Sequence, residues 1–148
     1  MNTDAICFGF DLKVHIGGFV FKKYEKAFEK LFMSDNDFIY GDSFTIKDNA
    51  IEHIGNNVII GFNDMDFGES SAGSVEICLR CDRKNSFQII STGDNKPISN
   101  MIEVETTPEY KTLCFDLDNK IKGKNTVSLV FLPGCDIDIE SICFIKSI

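Results

Sequence analysis

Val75-Glu76-Ile77-Cys78-Leu79-Arg80-Cys81 sets Val75, Ile77, Leu79 and Cys81 against Glu76, Cys78 and Arg80. Successive side chains of a strand point to opposite faces, so this stretch reads as a strand with one buried side. The same period of two appears in residues 87–91, 110–117, 126–131 and 137–145. In residues 110–117 it places Leu113, Phe115 and Leu117 on one side. Val58-Ile59-Ile60-Gly61-Phe62 is a shorter, mostly apolar run. Between these runs lie Gly93-Asp94-Asn95-Lys96-Pro97, Gly123-Lys124-Asn125 and Pro133-Gly134, all residues that favour turns. Short strands separated by polar turns, with few helical patterns, predict an all-β sandwich or barrel.

The N-terminal part reads differently. Over residues 19–32, Tyr24, Ala27, Phe28, Leu31 and Phe32 recur at helical spacing, with lysines and Glu29 on the other faces. This predicts a short amphipathic helix packed on the sandwich. The expected organisation is a helix-bearing extension over residues 1–34 and a sandwich over residues 35–148.

With 148 residues the chain has the size of one domain, and a core is feasible. The net charge of −8, with no dense Lys/Arg cluster, argues against nucleic acid as a partner. No apolar run reaches the roughly 20 residues of a membrane-spanning helix, so a membrane role is not expected. Met1-Asn2-Thr3-Asp4 lacks the basic start of a signal peptide. Of the six cysteines, Cys78, Cys81, Cys114 and Cys143 fall in strand patterns, where a reduced thiol acts as a small hydrophobe. Mostly free thiols suit a reducing compartment. The expectation is a cytoplasmic protein, or a secreted one if the chain belongs to a longer exported enzyme.

No catalytic constellation emerges. His15 and His53 are the only histidines, and no Gly-x-Ser-x-Gly motif accompanies them. Gly17-Gly18 is an isolated pair and no phosphate loop. Cys78 and Cys81 form a single CxxC, whereas zinc needs four ligands, and on a strand the two thiols face opposite ways. Carboxylates are plentiful, but they lie in loops such as Asn63-Asp64-Met65-Asp66. The chain is therefore expected not to be an enzyme. There is no tryptophan to stack on a sugar face; tyrosines 24, 40 and 110 are the alternatives.

Three segments in order carry a family resemblance: Ile39-Tyr40-Gly41-Asp42-Ser43-Phe44, Ile51-Glu52-His53-Ile54-Gly55-Asn56-Asn57-Val58, and Gly61-Phe62-Asn63-Asp64-Met65-Asp66-Phe67-Gly68. With Val130-Phe131-Leu132-Pro133-Gly134 and Ile137-Asp138-Ile139, they resemble the accessory domain of bacterial glycoside hydrolase family 2 β-galactosidases. That domain is similar to family 6 carbohydrate-binding modules. The resemblance covers about three quarters of the chain. It implies a jelly-roll β-sandwich, galactose-binding-domain-like, whose first and last strands lie side by side. It also implies a non-catalytic domain that binds a carbohydrate ligand beside a glycoside hydrolase catalytic domain. The alternative is a structural or interaction domain of such an enzyme that has lost sugar binding. The family places calcium between its first and last strands, and Asp35, with Asp37 as a competitor, and Asp138 fall at those positions. The family's sugar site uses aromatic rings and an amide near the last strand. Asp136 stands at the amide position, Val58 and Ser141 stand where rings are frequent, and Tyr40 and His53 are the groups that could compensate.

Overall fold

The computed structural model describes the backbone of residues 12–16, 19–23 and 26–147, and side chains from residue 26. Its strands in chain order are β1 (Leu12–Ile16), β2 (Phe19–Lys23), β3 (Leu31–Phe32), β4 (Phe38–Tyr40), β5 (Thr45–Lys47), β6 (Ala50–Ile54) and β7 (Ile59–Asp66). They continue with β8 (Ala72–Cys81), β9 (Asn85–Thr92), β10 (Ile98–Val104), β11 (Thr107–Ile121), β12 (Lys124–Phe131) and β13 (Ile137–Lys146). A five-stranded sheet runs β10-β9-β12-β7-β4, and a six-stranded sheet runs β11-β8-β13-β6-β5 with β3 also paired to β13, every pairing antiparallel. The all-β sandwich expected from the alternation is what the chain forms.

The two sheets meet through the apolar sides of their strands. Val75, Ile77 and Leu79 of β8 are buried, with Ile139, Ile142 and Phe144 of β13 beside them. Phe87, Ile89, Val127, Leu129, Ile60 and Phe62 come from the other sheet. Phe87 stacks on Phe131 with centroids 5.0 Å apart. The Asp66-Phe67-Gly68 turn follows from its residues: Asp66 Oδ1 accepts the Gly68 N–H at 2.9 Å, and Gly68 adopts φ +60°. Phe67 then inserts edge-on against Phe28 and Phe144, at 5.5 and 5.2 Å.

The N-terminal segment departs from expectation. Among the described residues of 19–32 there is no α-helix. Phe19–Lys23 pairs with Leu12–Ile16 as a hairpin, only Lys26–Phe28 is helical, as a 3-10 turn, and Leu31–Phe32 pairs with Ile142 and Ser141 of β13. Cross-strand pairing won over helical spacing because Phe19-Val20-Phe21 suits a strand and β13 offers an edge to Leu31 and Phe32. Ala27 is buried in the core. Tyr24, Cys7 and Gly17-Gly18 lie outside the described residues, and His15 falls within β1. The last strand, β13, lies beside the early strand β3.

Candidate functional site

The loops that join the sheets at one end of the sandwich are tied to each other by backbone bonds. The Gly55 N–H reaches the Ser43 carbonyl at 2.8 Å, and the Phe131 N–H reaches the Val58 carbonyl at 3.0 Å. The segment after β12 then carries Asp136. The buried Asn85 amide clamps its backbone: the Asp136 N–H donates to Asn85 Oδ1 at 2.7 Å, and Asn85 Nδ2 donates to the Asp136 carbonyl at 3.3 Å. Asn85 Nδ2 also donates to the Arg83 carbonyl at 3.0 Å. This clamp leaves the Asp136 carboxylate pointing into solvent, 3.6 Å from His53 Nδ1 and 3.7 Å from Arg83 Nη2.

His53 sits in the left-handed region at φ +53°, an uncommon conformation for a residue other than glycine. Its N–H donates to Asp138 Oδ1 at 2.8 Å, which holds the turn of the chain. The other Asp138 oxygen accepts from Arg80 Nε and Nη2, both at 2.8 Å. Arg80 Nη2 also reaches Glu52 Oε2 at 3.1 Å, and the Tyr110 hydroxyl donates to that same oxygen at 2.9 Å. The guanidinium carbon lies 4.4 Å from the Tyr110 ring centroid. Burial and the hydrogen bond to Glu52 push the Tyr110 phenol well above its ordinary range. The Asp138 hydrogen bond holds the Arg80 guanidinium more firmly charged still. Above this network opens a pocket of about 310 Å³ bordered by His53, Arg80, Cys81, Asp82, Pro108, Asp136 and Asp138. It offers carboxylate and imidazole acceptors and guanidinium donors within one concavity, a set that can hydrogen-bond neighbouring hydroxyl groups.

Tyr40 ends β4 at the same end of the sandwich, since Gly41 packs against Asn57 and Val58. Ile39 turns toward the core, so Phe38 and Tyr40 face outward from the five-stranded sheet. Their rings lie 5.4 Å apart, and Tyr40 is 61% exposed, the only exposed Phe or Tyr among the described residues. Phe38 lies across Gly61, where any Cβ would collide with its ring. Of the residues expected to meet a sugar, the fold brings His53 and Asp136 within 3.6 Å of each other and places Tyr40 on β4, the edge strand of the other sheet.

The pair expected to hold calcium does not fit that ion in this arrangement. Calcium takes six to eight oxygens. Both oxygens of Asp138 already accept hydrogen bonds, and a guanidinium stands against them. Asp35 is exposed at the end of the 3-10 turn Met33–Asp35, and the carboxylates clustered with Asp138 and His53 are those of Glu52 instead. The thiols of Cys78, Cys81, Cys114, Cys135 and Cys143 are unbridged, and Cys81 is buried while Cys78 faces outward, as the single CxxC implied.

Asn85, Arg80, Glu52 and Tyr110 were not singled out by the sequence as site residues. A signal existed for two of them. Asn85 shares the inward parity of Phe87 and Ile89, and a buried amide there needs partners. Arg80 shares the outward parity of Glu76.

No family model matches the sequence, and no curated protein does. Solved structures do match in fold. A family 6 carbohydrate-binding module from Clostridium stercorarium, in complex with cellobiose, is 22% identical with a TM-score of 0.70, covering 82% of this chain and 95% of its own. A β-1,3-glucan-binding family 6 module from Bacillus halodurans is 18% identical with a TM-score of 0.64, covering 80% and 96%. A glycoside hydrolase family 43 arabinoxylan arabinofuranohydrolase from Bacillus subtilis, in complex with cellotetraose, is 13% identical with a TM-score of 0.65, covering 93% of this chain and 33% of that one. The fold of this chain is the β-sandwich of family 6 carbohydrate-binding modules.

Proposed function

We propose that this chain is a non-catalytic carbohydrate-binding domain that stacks a sugar ring on Tyr40 and hydrogen-bonds it through His53 and Asp136. The observation that carries the reading is the exposed Tyr40 ring, buttressed by Phe38 over the bare backbone of Gly61. A large aromatic side chain this exposed on a sheet edge suits stacking on a ligand. The pocket that holds His53 and Asp136 is lined by hydrogen-bonding groups that suit sugar hydroxyls. Similar folds that are modules on cellobiose and β-1,3-glucan, and one within a hydrolase, support a β-linked glycan as the ligand class. The resemblance to β-galactosidase accessory domains points to a β-galactosidase-like enzyme as the catalytic partner. Among the described residues no helix is long and apolar enough to cross a membrane.

The second reading is an interaction domain that has lost its sugar. What favours it is Asp136 at the family's amide position, because a carboxylate accepts but does not donate. Titration calorimetry with cello-oligosaccharides, laminarin, xylan and galacto-oligosaccharides separates the two. Millimolar or tighter binding to one of them, lost in Tyr40→Ala, supports the first. No binding to any supports the second.

A further inference from the structure

Arg80 touches more of the six-stranded sheet than any other side chain in the network. Carried by β8, it reaches Asp138 on β13, Glu52 on β6 and the Tyr110 ring on β11. We infer that the Arg80 guanidinium, and not a bound divalent ion, supplies the positive charge that fastens the last strand to its neighbours, so that this domain folds without calcium. The acids that cluster here are Glu52 and Asp138, with the His53 imidazole within the same 4.8 Å group. Two carboxylates this close repel unless a cation lies between them, and Arg80 Nη2 occupies that position at 2.8 and 3.1 Å. A planar guanidinium satisfies several acceptors at once, and here it also stacks on a ring, so its direction is fixed from below. A dication at Asp138 would have to displace three N–H donors and lie against a permanent positive charge. Asp35, the other acid of the expected pair, belongs to an exposed turn outside the cluster. The same network holds the His53 N–H, so Arg80 is a positioning residue for the pocket above it. This inference does not depend on sugar binding.

The test is thermal unfolding of the full chain by circular dichroism, in millimolar calcium and in excess chelator. The wild type is expected to melt at one temperature in both, with no heat on calcium titration. Arg80→Met is expected to melt several degrees lower in both. Arg80→Lys should fall between, because an ammonium keeps the charge but cannot bridge both acids in the plane of the ring. A wild-type midpoint raised by calcium or lowered by chelator overturns the inference, as does Arg80→Met melting like the wild type. If Arg80→Met does not fold, Arg80→Lys decides. A lowered midpoint that calcium leaves unchanged supports the inference, and a wild-type midpoint or one restored by calcium refutes it.

Discussion

Replacing Asn85 by alanine tests whether the loop before the last strand is held by one buried amide. Asn85 is 4% exposed and makes three hydrogen bonds, one accepted from the Asp136 N–H and two donated to the Asp136 and Arg83 carbonyls. Each is worth about 0.5–1.5 kcal/mol net, and polar groups left without partners near the core add to the loss. The 3.3 Å bond is the weakest of the three, so a total of about 2–4 kcal/mol is expected. For a domain of this size that corresponds to roughly 6–14 °C in Tm. Asn85→Asp should do no better. It keeps an acceptor for the Asp136 N–H but turns a carboxylate oxygen toward two carbonyls. Urea unfolding gives the stability change, and amide hydrogen exchange gives the local one. The Asp136 N–H should be protected in the wild type and exchange faster in Asn85→Ala by more than the global loss explains. If the domain binds sugar, affinity falls in the same variant because the Asp136 carboxylate is no longer aimed. A variant within about 0.5 kcal/mol of wild type, with the Asp136 amide still protected, would refute the clamp.

Four other outcomes can be measured on the same protein. Tyr40→Phe should retain the affinity for any bound glycan within a few-fold while Tyr40→Ala abolishes it, since stacking needs the ring face and not the hydroxyl; calorimetry reads both. Gly61→Val should displace the Phe38 ring from the sheet and weaken the same binding without unfolding the domain, a shift visible in aromatic NMR resonances. Phe67→Ala should cost about 3–5 kcal/mol in urea unfolding, because the buried ring contacts both Phe28 and Phe144. Tyr110 has its pKa raised above 10.0 in the fold, by burial first and then by Glu52. Its contribution is therefore fully present below pH 10 and lost as pH rises further, because the unfolded chain releases that proton first. Stability measured between pH 9 and 11 should fall less steeply in Tyr110→Phe.

The strands that build the core were legible wherever apolar residues alternate without interruption. Val75 to Cys81 is the clearest, and β8 buries Val75, Ile77, Leu79 and Cys81 as the pattern requires. β10 was not legible, because its inward position 100 is an asparagine. That side chain survives in the interior by exchanging two 2.8 Å hydrogen bonds with the Asn119 backbone, a partner that no local pattern announces. The N-terminal segment failed for the opposite reason. Spacing that fits a helix was present, but the strand edge of β13 that captures Leu31 and Phe32 lies more than a hundred residues away.

The site divides along the same line. Parity tells which face a residue occupies, so Arg80 could be placed outside the core and Asn85 inside it. Parity says nothing about which residue stands opposite, and that is where the chemistry arises. Arg80 meets Asp138 because β8 and β13 pair with those two residues directly opposite. Two residues further along β13 the bulge between Ile139 and Ser141 shifts the register, and Cys78 faces Ser141. Were residues 138–142 paired in unbroken alternation, keeping Ile142 beside Ile77 would turn Asp138 to the other face, into the apolar layer and away from the guanidinium. Housing Glu140 in a bulge thus lets the same strand bury Ile142 and Phe144 and still present Asp138 outward to Arg80. Deleting Glu140 should therefore leave both pairings in place, as one regular ladder with Asp138 opposite Arg80 and Ile142 beside Ile77. Inserting a second residue there should instead force either the core pairing or the Arg80 pairing out of register, so unfolding measurements should show a far larger loss for the insertion than for the deletion, and the reverse order would refute the bulge.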